Sequence, residues 1–224
     1  SPKQIDLTNW TVDIDNTSIG GGLTLLLRER PAFGLSLVVD KINLDSYLSA
    51  SDPVGVANPR PADGDDRRVG SGADLTKLLS SFDANLLIKI GEVRYRDTVI
   101  SETALDATVQ SGEIVIRDLS VKDVGGAEIK VTGELAGTVV EPSTDINVSV
   151  SAKSAAKLAR LVGIDVTPTI QNLGGFNFQS KILGSLASLN LDAVLRVAGA
   201  RLDAKGVVRP LDSSPRLDLA LKFS

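Results

Sequence analysis

The chain has 224 residues, 42% hydrophobic and 23% charged, with a formal net charge of −4. It has no Cys, His or Met. That composition excludes disulfides, thiol nucleophiles, His-based triads and the usual zinc ligands, and the lack of a basic block disfavours nucleic-acid binding. Residues 5 to 48 then read as strands joined by short turns. Gly20–Gly22 precede an apolar run, Leu23 to Leu27, and Arg28-Glu29-Arg30-Pro31 reads as a turn. After it Phe33, Leu35, Leu37 and Val39 alternate with smaller residues, and Asp45–Leu48 suggest a short helical turn. Residues 49–74 are rich in Pro, Gly, Asp and Arg and read as a flexible insert. Asp74 would cap a two-turn helix with Leu75, Leu78, Leu79 and Phe82 on its apolar face.

From Ala84 onward the strand pattern returns in short pieces: Ala84–Ile90, Glu92–Tyr95, Thr103–Val109, Glu113–Ile116, Ser120–Asp123, Glu128–Leu135 and Asp145–Ala152. Breaks fall at Gly91, Ser111-Gly112, Gly125-Gly126 and Pro142, which indicates antiparallel sheet rather than βαβ units. Ser154 caps a helix expected over 154–163, stopped by Gly163. Strands resume at Gly175–Ile182, Ser188–Ala198, Arg201–Val208 and Arg216–Ser224. In the last, Leu217, Leu219, Leu221 and Phe223 fall on one side, with Arg216, Asp218, Lys222 and Ser224 on the other. The chain thus divides into a first β-repeat (1–48), the insert (49–74) and a main antiparallel sheet (75–224).

An internal repeat runs through these strands. Gly126-Ala127-Glu128-Ile129-Lys130-Val131-Thr132-Gly133 matches Gly199-Ala200-Arg201-Leu202-Asp203-Ala204-Lys205-Gly206, so that Gly126 answers to Gly199 and Gly133 to Gly206. Each copy leads through a Pro-containing turn to an alternating strand. In those strands Ile146 is matched to Leu217, and Phe33, Leu35 and Leu37 form a third, degenerate copy. Repeated hairpins suggest an array that grows by adding strands.

Chemical motifs are scarce. Asp13–Ser18 starts like a calcium loop but lacks its Gly and its final Glu, and Asp63, Asp65 and Asp66 read as a solvated acidic loop. Gly20–Gly22 lack the Lys-Ser/Thr of a phosphate loop, and there is no G-x-S-x-G and no evident carboxylate pair. Trp10 reads as core, and Arg94–Asp97 as a polar cluster at a sheet edge or on a wet face. We therefore expect no enzyme activity, no catalytic residue, no metal and no cofactor. Periodicity leaves two arrangements open. One is a two-sheet β-sandwich with an ordinary core. The other is a long, strongly curved antiparallel sheet, a β-groove whose oily face an apolar ligand covers.

Two blocks then carry a family resemblance. Glu29-Arg30-Pro31-Ala32-Phe33-Gly34-Leu35-Ser36-Leu37, followed by Ile42–Leu48, resembles the AsmA family of bacterial envelope proteins, including its Pro-rich insert. Phe82-Asp83-Ala84-Asn85-Leu86, Gly91–Arg96, Leu105–Val109, Gly112–Ile116 and Gly125–Gly133 continue the likeness. The resemblance implies a periplasmic segment of a longer protein, anchored to the inner membrane by an N-terminal helix not present in this segment. It implies a non-catalytic lipid-binding or lipid-transfer module in outer-membrane biogenesis, the partners being phospholipid or another acyl lipid and other envelope proteins. A spacer that binds no lipid is the alternative. The residues expected to hold acyl chains are Phe176 and Phe178, then Leu189, Leu191, Leu195 and Val197. Leu202, Leu217, Leu219, Leu221 and Phe223 complete the set.

Overall fold

The computed structural model describes residues 3–45, 78–95, 98–137, 142–157, 166–167, 174–185, 187–209 and 216–224. Strands make up 81% of them. They are β1 (Lys3–Ile14), β2 (Thr17–Leu27), β3 (Ala32–Asn43), β4 (Asp83–Tyr95), β5 (Thr98–Gln110) and β6 (Glu113–Val124). There follow β7 (Ala127–Gly137), β8 (Pro142–Ala152), β9 (Phe176–Ser185), β10 (Ser188–Val197), β11 (Ala200–Arg209) and β12 (Arg216–Phe223). All twelve join one sheet in sequence order, and the sheet does not close into a barrel. The two-sheet sandwich is thereby overturned. No second sheet faces this one among the described residues.

The tight hairpins follow from local sequence. Ser111-Gly112, Gly125-Gly126 and Ala198-Gly199 all hold two successive residues at positive φ. That is the type I′ geometry whose twist matches that of the strands it joins.

Three readings from sequence need correction. Gly91 does not end a strand: β4 runs through it, and a Cβ there would lie 2.4 Å from the Asp40 carbonyl oxygen. Its small size admits a close neighbour, not a turn. Likewise Glu113–Ile116 and Ser120–Asp123 are one strand, β6, with register shifts against β7 at Ile116/Leu119 and Val121/Val124. Finally, β3 and β4 pair in parallel, Ala32 opposite Asp83, while every other pair is antiparallel. A parallel pair requires a long return connection, and here it spans residues 44–82.

The motif residues at that junction hold it together. Asp83 accepts from Arg28 Nη2 at 2.8 Å, lies 3.0 Å from Arg30 Nε, and donates its backbone N–H to the Pro31 carbonyl at 2.9 Å. Arg30 Nη1 reaches Ser111 Oγ at 2.9 Å, and the rings of Phe33 and Phe82 pack 5.1 Å apart. The Arg-x-Arg-Pro-x-Phe and Phe-Asp segments are thus one clasp joining β3 to β4.

Helical backbone appears at 44–45, 78–80 and 155–157. Ser154 caps the last, its Oγ accepting from Lys157 N–H at 3.4 Å, and Ala156 is buried. The rest of the helices expected from Asp74 and over 154–163 lies outside the described residues, as do insert 49–74 and Asp63, Asp65 and Asp66.

Candidate functional site: the apolar sheet face

Residues directly opposite each other in a sheet project to the same face, so the register sorts every side chain. One ladder crosses β7 to β12 as Ile129, Val150, Phe178, Leu195, Leu202 and Phe223. The ladder beside it reads Val131, Val148, Ser180, Ala193, Ala204 and Leu221. A third reads Gly133, Ile146, Ile182, Leu191, Gly206 and Leu219. The opposite face carries Glu128, Lys130, Asp145, Lys181, Asp192, Asp203 and Lys205, tied in ion pairs. One face is oil and the other is charge.

Every residue singled out from sequence as holding acyl chains lies on the apolar face. Phe176 and Val197 belong to the ladder at one end, Leu189 and Leu217 to that at the other, and the rest to the three ladders above. Reasoning confined to the last strands missed the remainder of this surface. The second ladder continues through Leu119, Leu105, Ile88 and Leu37 to Gly21 and Trp10, so the same face runs unbroken to β1. The period-2 alternation of β3 to β8 was the available signal.

The sheet curls toward this face, and its glycines record the curl. Gly21, Gly133 and Gly206 all lie on it. A Cβ there would sit 2.1, 2.1 and 1.9 Å from the carbonyl oxygens of Ser36, Asp145 and Asp218 on the next strand. Gly20 and Gly22 point to the polar face, where the nearest atoms are 3.4 and 3.6 Å away, and Gly34 finds nothing within 4 Å. At these three glycines the neighbouring backbone is displaced toward the apolar side. The glycines also fix the repeat. Gly133 lies opposite Ile146 and Gly206 opposite Leu219. Ile146 therefore corresponds to Leu219, not to Leu217, and the strands keep the same offset as the glycines.

Burial fits a single curled layer. Among the described residues no large side chain is fully buried. The buried strand residues are small: Ala84, Ala107, Ala127, Ala152, Ala193, Ser180, Thr17 and Thr144 on the apolar face, with Val39, Val109 and Val124, and Ser120 on the polar face. Larger neighbours shade them, while Phe178, Leu191, Leu195 and Leu202 stay half-buried. The small residues Ser180, Ala193 and Ala204 make a shallow valley running across the strands between two ridges of larger side chains.

On the polar face the shifts in acidity follow the ion pairs. Arg117 holds the Asp106 carboxyl below its ordinary value, and Arg201 does the same to Asp203. Lys130, with Lys122 behind it, lowers Glu128. Asp40 is lowered chiefly by the Ser18 and Lys41 backbone N–H groups. Asp106, Glu128 and Asp203 are thus carboxylates paired with neighbouring cations, whereas Asp40 is held by backbone N–H groups. Arg94 pairs with Glu92 at 3.1 Å on the same polar side.

Among the described residues the geometry defines an open, single-layered β-sheet with one continuous apolar surface and one charged one. The chain is similar in sequence to Protein AsmA of Escherichia coli (strain K12), 23% identical over 150 residues. The match takes in 63% of this chain and 24% of that protein, so the chain corresponds to about a quarter of its relative's length. It agrees with the AsmA-like order of blocks. No family model matches the chain, and no solved structure matches it. No helix among the described residues is long and apolar enough to cross a membrane.

Proposed function

We propose that the chain is a non-catalytic lipid-binding module of the bacterial envelope, holding phospholipid acyl chains on the apolar face of its curled sheet. The observation that carries this reading is the uncovered face itself. It runs through twelve strands, and no second layer covers it among the described residues. An apolar surface of that extent calls for an occupant. An acyl chain supplies one without chemistry, each methylene removed from water contributing about 0.8 kcal/mol. Chains would lie across the strands, along the Ser180–Ala193–Ala204 valley, with headgroups toward solvent. Transfer is then sliding along a surface that repeats every few strands, with no catalytic residue. The likeness to AsmA supports a place in the periplasm, attached to the inner membrane in a longer protein.

The test is extraction of the purified chain with organic solvent, followed by mass spectrometry of the extract. Phospholipid recovered in proportion to protein is the expected result. A chain that is lipid-free as purified and takes up none from vesicles of Escherichia coli polar lipids would overturn the reading.

A further inference from the structure

Six buried side-chain polar atoms have no hydrogen-bond partner among the described residues. Arg30 Nε and Asp145 Oδ1 belong to groups already held in ion pairs. The other four are Trp10 Nε1 and the hydroxyls of Thr103, Thr144 and Ser180. All four can donate a hydrogen bond, and the register puts all four on the apolar face. A buried donor left unpaired destabilises the chain that carries it. A face with such donors calls for an occupant that brings acceptors, and hydrocarbon alone has none.

Two of the hydroxyls have room beside them. Ser180, 7% exposed, lies opposite Ala193, with Ala204 next across. Thr144, 6% exposed, lies opposite Gly184, which has no side chain. Thr103 instead lies between Ile90 and Val121. The Ser180 row also has the order of an acyl ester. On one side it closes against Val148 and Val131, and on the other it opens over Ala193 and Ala204. A hydroxyl followed by a methyl-floored track matches a carbonyl followed by methylenes. Larger neighbours shade Ser180, but Phe178 and Ile182 are themselves only half-buried. A serine hydroxyl moves between staggered χ1 wells to meet a group arriving there.

We propose that Ser180 and Thr144 donate their hydroxyls to ester carbonyls of bound lipid, so that the face selects ester-linked acyl lipids over other apolar chains. This rests on the lipid reading above. One ester carbonyl sits over Ser180, and its chain crosses β10 and β11 above Ala193 and Ala204. Thr144 lies across the Ile146–Ile182 ridge, four residues or roughly 13 Å along the strands. That is too far to share one glycerol, so it takes the ester of a neighbouring lipid.

The test is a competition. The purified whole chain is incubated with vesicles of equal parts dioleoyl phosphatidylcholine and its dialkyl ether analogue, re-isolated and extracted, and the two bound lipids are compared by mass spectrometry. Headgroup and chain length are the same, and only the ester brings carbonyl acceptors. The parent chain should take up the ester over the ether about fivefold or more. Ser180→Ala and Thr144→Val, which remove the hydroxyls with little change of shape, should each lower that ratio and together bring it to parity. After delipidation neither variant should unfold at lower urea than the parent, because the hydroxyl it lacks has no partner there. Equal uptake of the two lipids by the parent would overturn this inference and leave the lipid reading standing. Uptake of neither would overturn both. A variant that lowers total uptake at an unchanged ratio, or that loses stability without lipid, would show that the hydroxyl serves the fold and not the ester, and would also overturn it.

Discussion

Gly133 and Gly206 show how much one missing methyl group decides here. Their α-carbons sit so close to the next strand that a Cβ would meet the Asp145 and Asp218 carbonyl oxygens at 2.1 and 1.9 Å. Gly206→Ala must push β11 and β12 apart, and an overpacked site of this kind costs about 1–3 kcal/mol. Gly34→Ala, on the polar face with nothing within 4 Å, should change stability by no more than about 0.5 kcal/mol. Urea unfolding of the two variants checks this. Equal midpoints would show that the curl does not reside at the glycine. In the sequence these residues look alike, because only the register reveals which face each one joins.

At the scale of a strand, the question is what a charge on the apolar side does. In a two-layer core, burying an unpaired carboxylate costs several kcal/mol and unfolds the domain. In a single layer, Leu195 and Leu219 remain half-exposed, and a glutamate there keeps contact with water. Leu195→Glu and Leu219→Glu should therefore fold, by far-ultraviolet circular dichroism, yet carry less co-purified lipid than the parent chain. Unfolding of both would mean that the face is covered after all. The β3–β4 clasp belongs to this scale too. Arg30, Pro31, Phe33, Phe82 and Asp83 were legible as motif residues, but their meeting was not, since the whole of β3 and the insert lie between Pro31 and Phe82.

For the molecule as a whole, segregating charge to one face makes stability depend on pH in a defined direction. Asp40, Asp106, Glu128 and Asp203 all titrate below their ordinary values in the folded chain. Each binds its proton more weakly when folded than when unfolded. Their contribution is thus fully present above about pH 4–5, the unfolded range, and is lost as pH falls through the lower folded values. No histidine titrates between pH 5 and 8. Urea midpoints should accordingly be level across pH 5 to 8 and drop below about pH 4. A midpoint that rose on acidification would contradict the ion-pair assignment.

The sequence by itself determined which side of nearly every strand is oily, because alternation belongs to a single strand and survives whatever packs on it. It also marked the tight turns, the repeat, the AsmA-like blocks and a set of apolar residues that do share one face. It did not determine how many layers there are. An alternating strand reads the same whether its apolar side meets another sheet or stays open. Nor could it show that β4 and β6 run through their apparent breaks, that β3 and β4 lie parallel, or that Ile146 answers to Leu219 in the repeat. Those depend on which strand lies beside which and in what register. Only the tertiary arrangement sets them, through the close approaches at Gly91, Gly133 and Gly206.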